Sequence, residues 1–190
     1  MKNEVPFLWS RFTMREALLL GFCATFIVIT KATLRMKLGI SGHSMFFMVF
    51  FLLLGRGCVQ KTGAATLVGL LAGALSMALG MGGKGPLKML NFLLPAFVID
   101  SVGFFLPRLP FIYPLCIVVA FLAGATKGIH SAALEYLAGV PARIVLQKAA
   151  LESLFGGMFG FLGSLPVPAV LRKLRTNRLI HDPCARKPEK

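Results

Sequence analysis

The residues able to do chemistry are few in this chain, and their spacing points to binding rather than catalysis. Three histidines, four cysteines and seven acids are spread over 190 residues. They form no His-x-x-x-His pair, no serine beside a base and no paired carboxylates, so hydrolytic, nucleophilic and acid–base chemistry all lack their usual constellations. Cys23, Cys58, Cys116 and Cys184 show no Cys-x-x-Cys spacing, and two of them lie in apolar runs, which indicates neither a metal site nor a disulfide framework. Gly80-x-Gly82-x-x-Gly85 matches the dinucleotide fingerprint in its letters. That fingerprint works where a strand turns into a helix, whereas an apolar helix precedes this one and Pro86 follows it. Gly83-Lys84 is no Walker A either, because Ala78 and Gly85 stand where the leading glycine and the magnesium-binding Ser or Thr belong. No cofactor, metal or enzymatic activity is expected, and the chain should not hydrolyse ATP by itself. What remains is a backbone-exposing loop flanked by Lys84 and Lys88, which is either a place to receive an anionic group or a plain tight turn.

Asp100 is the one acid well inside an apolar run. At a helix centre in a membrane an acid costs about 2.5–3.5 kcal/mol, so it should face the interior and find partners there, in a ligand site or a structural one. Glu152, Asn91 and His43 stand near the ends of other apolar runs. With these, the candidate ligand-binding residues are His43, Lys84, Lys88, Asn91, Asp100 and Glu152.

The elements that must position them are membrane helices. The chain is 56% hydrophobic and 15% charged, with a mean hydropathy of +0.77. A soluble domain carries about a quarter of its residues charged, so soluble enzyme classes are excluded. Apolar runs at residues 12–30, 44–55, 64–81, 87–106, 109–125 and 149–171 predict an all-α, polytopic membrane protein, a bundle of about six transmembrane helices in one domain over residues 1–171. The second run is short and must tilt or begin near residue 38. A longer polar connection with Lys127, His130, Glu135, Arg143 and Lys148 is expected before the sixth. Residues 172–190 read as a basic cytoplasmic tail, solvated and partly disordered. Leu20-Gly21-Phe22-Cys23 faintly resembles a lipoprotein cleavage box, but Phe22 is too large before the cysteine, so the first run is expected to stay as a helix.

Six spans put both termini on one side. Thirteen of the 21 Lys and Arg fall on that side, seven of them in the tail, against eight on the other, so the termini are expected in the cytoplasm of a cell (inner) membrane. The tail decides this, since without it the count is six against eight. Trp9 fits an interfacial anchor on the same side. The net charge of +14 punctuates apolar runs, which is membrane topology and not nucleic-acid binding. On this topology His43, Lys84, Lys88, Asn91, Lys127, His130, Glu135, Arg143 and Glu152 gather at the outer third of the bundle. Phe46, Phe47, Phe92 and Tyr136 are available there to line an apolar cavity for a small molecule. Small residues recur at helical spacing: Ala17, Gly21 and Thr25; Ala65, Gly69 and Gly73; Gly156 and Gly160. Such faces let apolar helices approach closely. The last two sets suit packing inside the bundle, and the first suits docking to another membrane protein equally well.

Over residues 41–105 the chain resembles the substrate-binding S components of energy-coupling factor (ECF) vitamin transporters, the pyrimidine and thiamine types above all. The resemblance rests on an aromatic second span, a short basic turn, Gly63-Ala64-Ala65 opening the third span, the Gly85-Pro86 turn and the acid Asp100 in the fourth. Ala17-x-x-x-Gly21 is similar to the Ala-x-x-x-Ala pattern of S-component first helices, with Gly in place of the second Ala. What this implies is capture of a vitamin or related compound from outside, without catalysis. A transmembrane T component and two ABC ATPase subunits would drive uptake, with Ala17, Gly21 and Thr25 as the docking face. Two other classes stay open: an accessory membrane subunit of a lipid or isoprenoid enzyme, and a self-contained small transporter.

Overall fold

The computed structural model describes residues 12–37, 43–59, 61–80, 87, 89–106 and 112–176. Among them all regular structure is helical: α1 (Met14–Lys37), α2 (His43–Val59), α3 (Ala64–Ala78), α4 (Leu90–Phe105), α5 (Tyr113–Leu137), α6 (Ala142–Ser164) and α7 (Pro166–Thr176). By length and composition α1, α5 and the nearly continuous α6–α7 are long and apolar enough to cross a membrane, whereas α2, α3 and α4 are apolar but shorter. At 1.5 Å per residue α3 reaches only about 22 Å, against about 30 Å for a hydrocarbon core.

Local sequence accounts for the helix limits. Thr13 and Glu16 form a capping box on α1: Glu16 Oε2 accepts the Thr13 N–H at 2.7 Å, and Thr13 Oγ1 accepts the Glu16 N–H at 3.4 Å. Pro114 lies in the first turn of α5, where its missing N–H breaks no bond. Pro166 follows Leu165 at the break between α6 and α7, and Pro141 precedes α6.

The core forms around α2, which touches each of the other six helices. Met45, Met48, Val49, Leu52 and Leu53 form one face that is sealed from solvent, and Phe46, Phe47, Phe50, Phe51 and Leu54 on the other sides are half-buried. Leu20, Cys23, Ala24, Ile27 and Val28 of α1 complete that core. Large apolar side chains lie exposed on the peripheral helices, among them Phe22, Leu70, Phe97, Val118 and Leu154.

Two glycine-based seams hold pairs of neighbours. A Cβ at Gly69 would lie 2.8 Å from Phe92 O, and one at Gly73 would lie 2.9 Å from Met89 Cγ, so α3 and α4 meet backbone to backbone. Across α5 and α6, a Cβ at Gly156 would strike the Gly124 carbonyl, and one at Gly160 the Ala120 carbonyl. Gly69, Gly73, Gly156 and Gly160 thus pack inside the bundle, where the missing side chains let the helices approach closely.

Consecutive helices run in opposite directions from α1 to α4, which defines two ends. The start of α1, the α2–α3 junction, the end of α4 and the start of α5 share the α2–α3 end. The end of α1, the start of α2 and the start of α4 share the α3–α4 end. The second half of the chain departs from the sequence reading. The expected polar connection is helix: α5 continues past Ala125 to Leu137, α6 begins at Ala142, and only a short turn separates them. Gly163, in the last turn of α6, meets Phe46 at the start of α2, so the N-terminus of α6 lies about 30 Å of helix away from that contact. The basic segment opening at Arg172 also begins inside a helix, since α7 runs to Thr176. Residues 177–190 lie outside the described residues.

Candidate functional site

The six candidate ligand residues do not converge on one place. Asp100 sits at the α2–α3 end, where α3 starts without a side-chain cap of its own, behind Gly63 at φ 89°. Asp100 supplies the cap from α4: its Oδ2 accepts the Thr66 N–H at 2.6 Å and the Thr66 hydroxyl at 2.7 Å. This places a negative charge at a helix N-terminus, where free amides and the helix dipole favour it. The other oxygen, Oδ1, lies 3.6 Å from Arg56 Nη1. It makes no hydrogen bond among the described residues, so that contact is charge attraction alone. Arg56 is as buried as Asp100, each about 5% exposed. It donates from Nη2 to the Gly103 carbonyl at 2.9 Å and from Nη1 to the Lys61 carbonyl. Gly103 leaves the space for this, since a Cβ there would lie 2.8 Å from Arg56 Nε. Lys61 in turn pairs with Glu16 of α1 at 2.7 Å. One polar network thereby ties α1, α2, α3 and α4 together, and Asp100 is a structural member of it.

Asn91 lies at the opposite end, in the first turn of α4. Its Oδ1 is buried and accepts no hydrogen bond among the described residues, an arrangement costing about 1–3 kcal/mol unless something answers it. The next residue, Phe92, is 1% exposed. Lys31 of α1 holds its ammonium 3.8 Å from the centre of that ring and 4.0 Å from the Met48 sulfur. A cation and an aromatic face thus meet where α1, α2 and α4 pack together, and Asn91 precedes that ring in the first turn of α4. His43 opens α2 at this same end, but its side chain, like Lys84 and Lys88, lies outside the described residues.

Glu152 belongs to a third group, on the α5–α6 hairpin. It lies within charge range of Lys127 and Lys148. Glu135 and Lys148 pair across the hairpin, His130 is buried in α5, and Arg143 is exposed. Among the described residues no three His, Cys, Asp or Glu side chains come close enough to hold a metal ion.

The candidate docking face points away from the bundle. Ala17 and Thr25 are exposed, with the Thr25 hydroxyl turned back onto the Gly21 carbonyl at 2.9 Å. A Cβ added at Gly21 would meet nothing within 4 Å.

Compared with known proteins, the chain matches no family model, no curated protein and no solved structure. Its reading rests on its own residues. Three that matter escaped sequence reasoning: Arg56, Thr66 and Lys31. Arg56 and Lys31 close apolar runs, where cations look like topology signals. The clue to Arg56 was Asp100 itself, which needed a partner at the same end of the bundle.

Proposed function

We propose that the chain is a six-span protein of the cell membrane with both termini in the cytoplasm. In this reading it captures a small molecule, a vitamin or related compound, at its outward α3–α4 end. It hands the molecule on by docking α1 to a transmembrane T component driven by two ABC ATPases, in the manner of an ECF S component. One observation carries the docking step. Among the described helical glycines, Gly21 alone opens onto empty space, while each of the others is pressed against a neighbouring side chain or backbone. Glycine weakens a helix by about 1 kcal/mol relative to alanine, and at Gly21 the bundle gains no close approach in return. Close approach by another helix supplies the reason for it. The Asn91 oxygen, buried and answered by no described residue in the first turn of α4, supports ligand capture at the other end.

The test is co-purification. Gly21→Leu should abolish recovery of a T component and ATPases while ligand binding persists. Recovery of an undiminished complex from that variant would remove α1 as the docking helix. Topology is checked separately: in intact cells a cysteine at position 84 should label from outside and one at position 61 should not. For the ligand, loss of affinity in Lys84→Gln or Lys88→Gln marks an anionic compound, and indifference to both removes that reading.

A further inference from the structure

We infer that α7 forms a binding surface for anionic phospholipid at the α2–α3 end of the bundle. The helix is locked in rotation by its apolar face. Leu171 is fully buried and fills the space at Gly57, where a Cβ would collide with it, and Val167 and Pro168 are buried beside it. That rotation leaves Arg172 and Lys173 exposed on the outer face, and Arg175, one turn beyond Leu171, is exposed in the last turn of the helix. The Arg172 guanidinium lies 5.3 Å from the centre of the Tyr113 ring at the start of α5. Arg15, exposed in the first turn of α1, adds a fourth cation at this end.

Two features select lipid as the occupant. The first is charge: the described acids of this end, Glu16 and Asp100, are engaged by Lys61 and Arg56, so the outward field is positive. The second is position. Phe104, Phe105, Leu106 and Ile112 are exposed at the same end, so the cations border bare apolar surface. Cations beside an amphipathic ring and exposed hydrocarbon match the boundary between headgroups and acyl chains, where each Lys or Arg favours anionic lipid by about fivefold. An RNA or an acidic protein would call for a polar surround.

Native mass spectrometry of the full chain tests this, with the protein delipidated in neutral detergent and offered equimolar phosphatidylglycerol and phosphatidylcholine. The expected result is retention of phosphatidylglycerol in excess, on the order of tenfold at low salt and falling as salt rises. In Arg172→Gln/Lys173→Gln/Arg175→Gln the ratio should fall close to one. Arg172→Lys/Arg175→Lys should keep the excess, and so should Arg143→Gln at the far hairpin. A ratio near one in the unaltered protein, or an excess that survives the triple Gln variant, overturns the proposal. So does a surface that binds labelled single-stranded RNA and shows no lipid preference. Should the triple variant fail to match the unaltered helical circular dichroism, the single variant Lys173→Gln and the salt series decide the matter.

Discussion

At the α2–α3 end, Glu16, Lys61, Arg56, Asp100 and Thr66 answer one another in an unbroken run of hydrogen bonds and ion pairs. At the α3–α4 end, Lys31 rests on a phenylalanine ring and Asn91 keeps a buried oxygen that no described residue satisfies. Both ends draw on the same helices, α1, α2 and α4, so helix length and apolar composition do not explain the contrast. A closed network spends its polar groups on holding helices together, while a buried acceptor that no described residue answers, as at Asn91, is a place for another group to bind. The comparison assigns architecture to the first end, and recognition at the second is the proposal made above.

The largest effect should come from breaking the closed end. Asp100→Ala strands Arg56 as a buried unpaired charge and uncaps α3, and should cost about 3–5 kcal/mol, seen as a sharp fall in melting temperature in detergent. Arg56→Met/Asp100→Leu should be milder than either single change, because no charge is then stranded. Additive losses would mean that the two residues do not work as a pair. Next in size is the α5–α6 seam, where Gly156→Ala should cost about 1–3 kcal/mol by forcing a methyl against the Gly124 carbonyl. Thermal denaturation reads this directly, and an unchanged midpoint would show that the seam can spread. Smaller again is Asn91→Leu, which removes an unanswered acceptor and should leave stability unchanged or raise it by up to about 1 kcal/mol while ligand binding falls. A clear loss of stability there would place Asn91 in the architecture and erase the contrast between the ends. Gly21→Leu should lie within about 0.5 kcal/mol of the parent in the isolated chain, its effect confined to assembly.

The pattern of apolar runs announced an all-helical protein, and the small residues at 69, 73, 156 and 160 announced where helices press together. The burial of Asp100 followed from its setting, since an acid amid apolar residues has nowhere to go but inward. The long hairpin was harder to see. Lys127, His130 and Glu135 look like a water-exposed connection, yet residues 129–137 contain neither Pro nor Gly and include Ala132, Ala133, Leu134 and Glu135, all good helix formers. The repeat Ala120, Gly124, Gly128 continued across the expected end of the span and was the overlooked signal. Arg56 stayed hidden for a different reason: a cation after an apolar run marks topology or pairs inside the bundle, and only the third dimension separates the two. Asn91 and Asp100 lie at opposite ends of α4, a separation of about 13 Å that residue spacing alone gives, whereas the distance of Glu152 from both follows from helix direction and register, which spacing within one helix does not encode.

The borrowed cap on α3 bears on how the protein is made. The carboxylate that closes the helix lies 34 positions downstream of the amide it serves, so the ribosome has finished α3 well before Asp100 emerges. In the six-span reading proposed above, the nascent hairpin of α2 and α3 until then carries a charged Arg56 and open amides, and hydrocarbon penalises each by several kcal/mol. Helices α2, α3 and α4 should therefore leave the insertion machinery as one parcel. Chains stalled before α4 should still cross-link to the translocation channel, and chains stalled once Phe105 has cleared the ribosomal tunnel should cross-link to lipid. Early release of the shorter chains would show that α3 enters the bilayer uncapped.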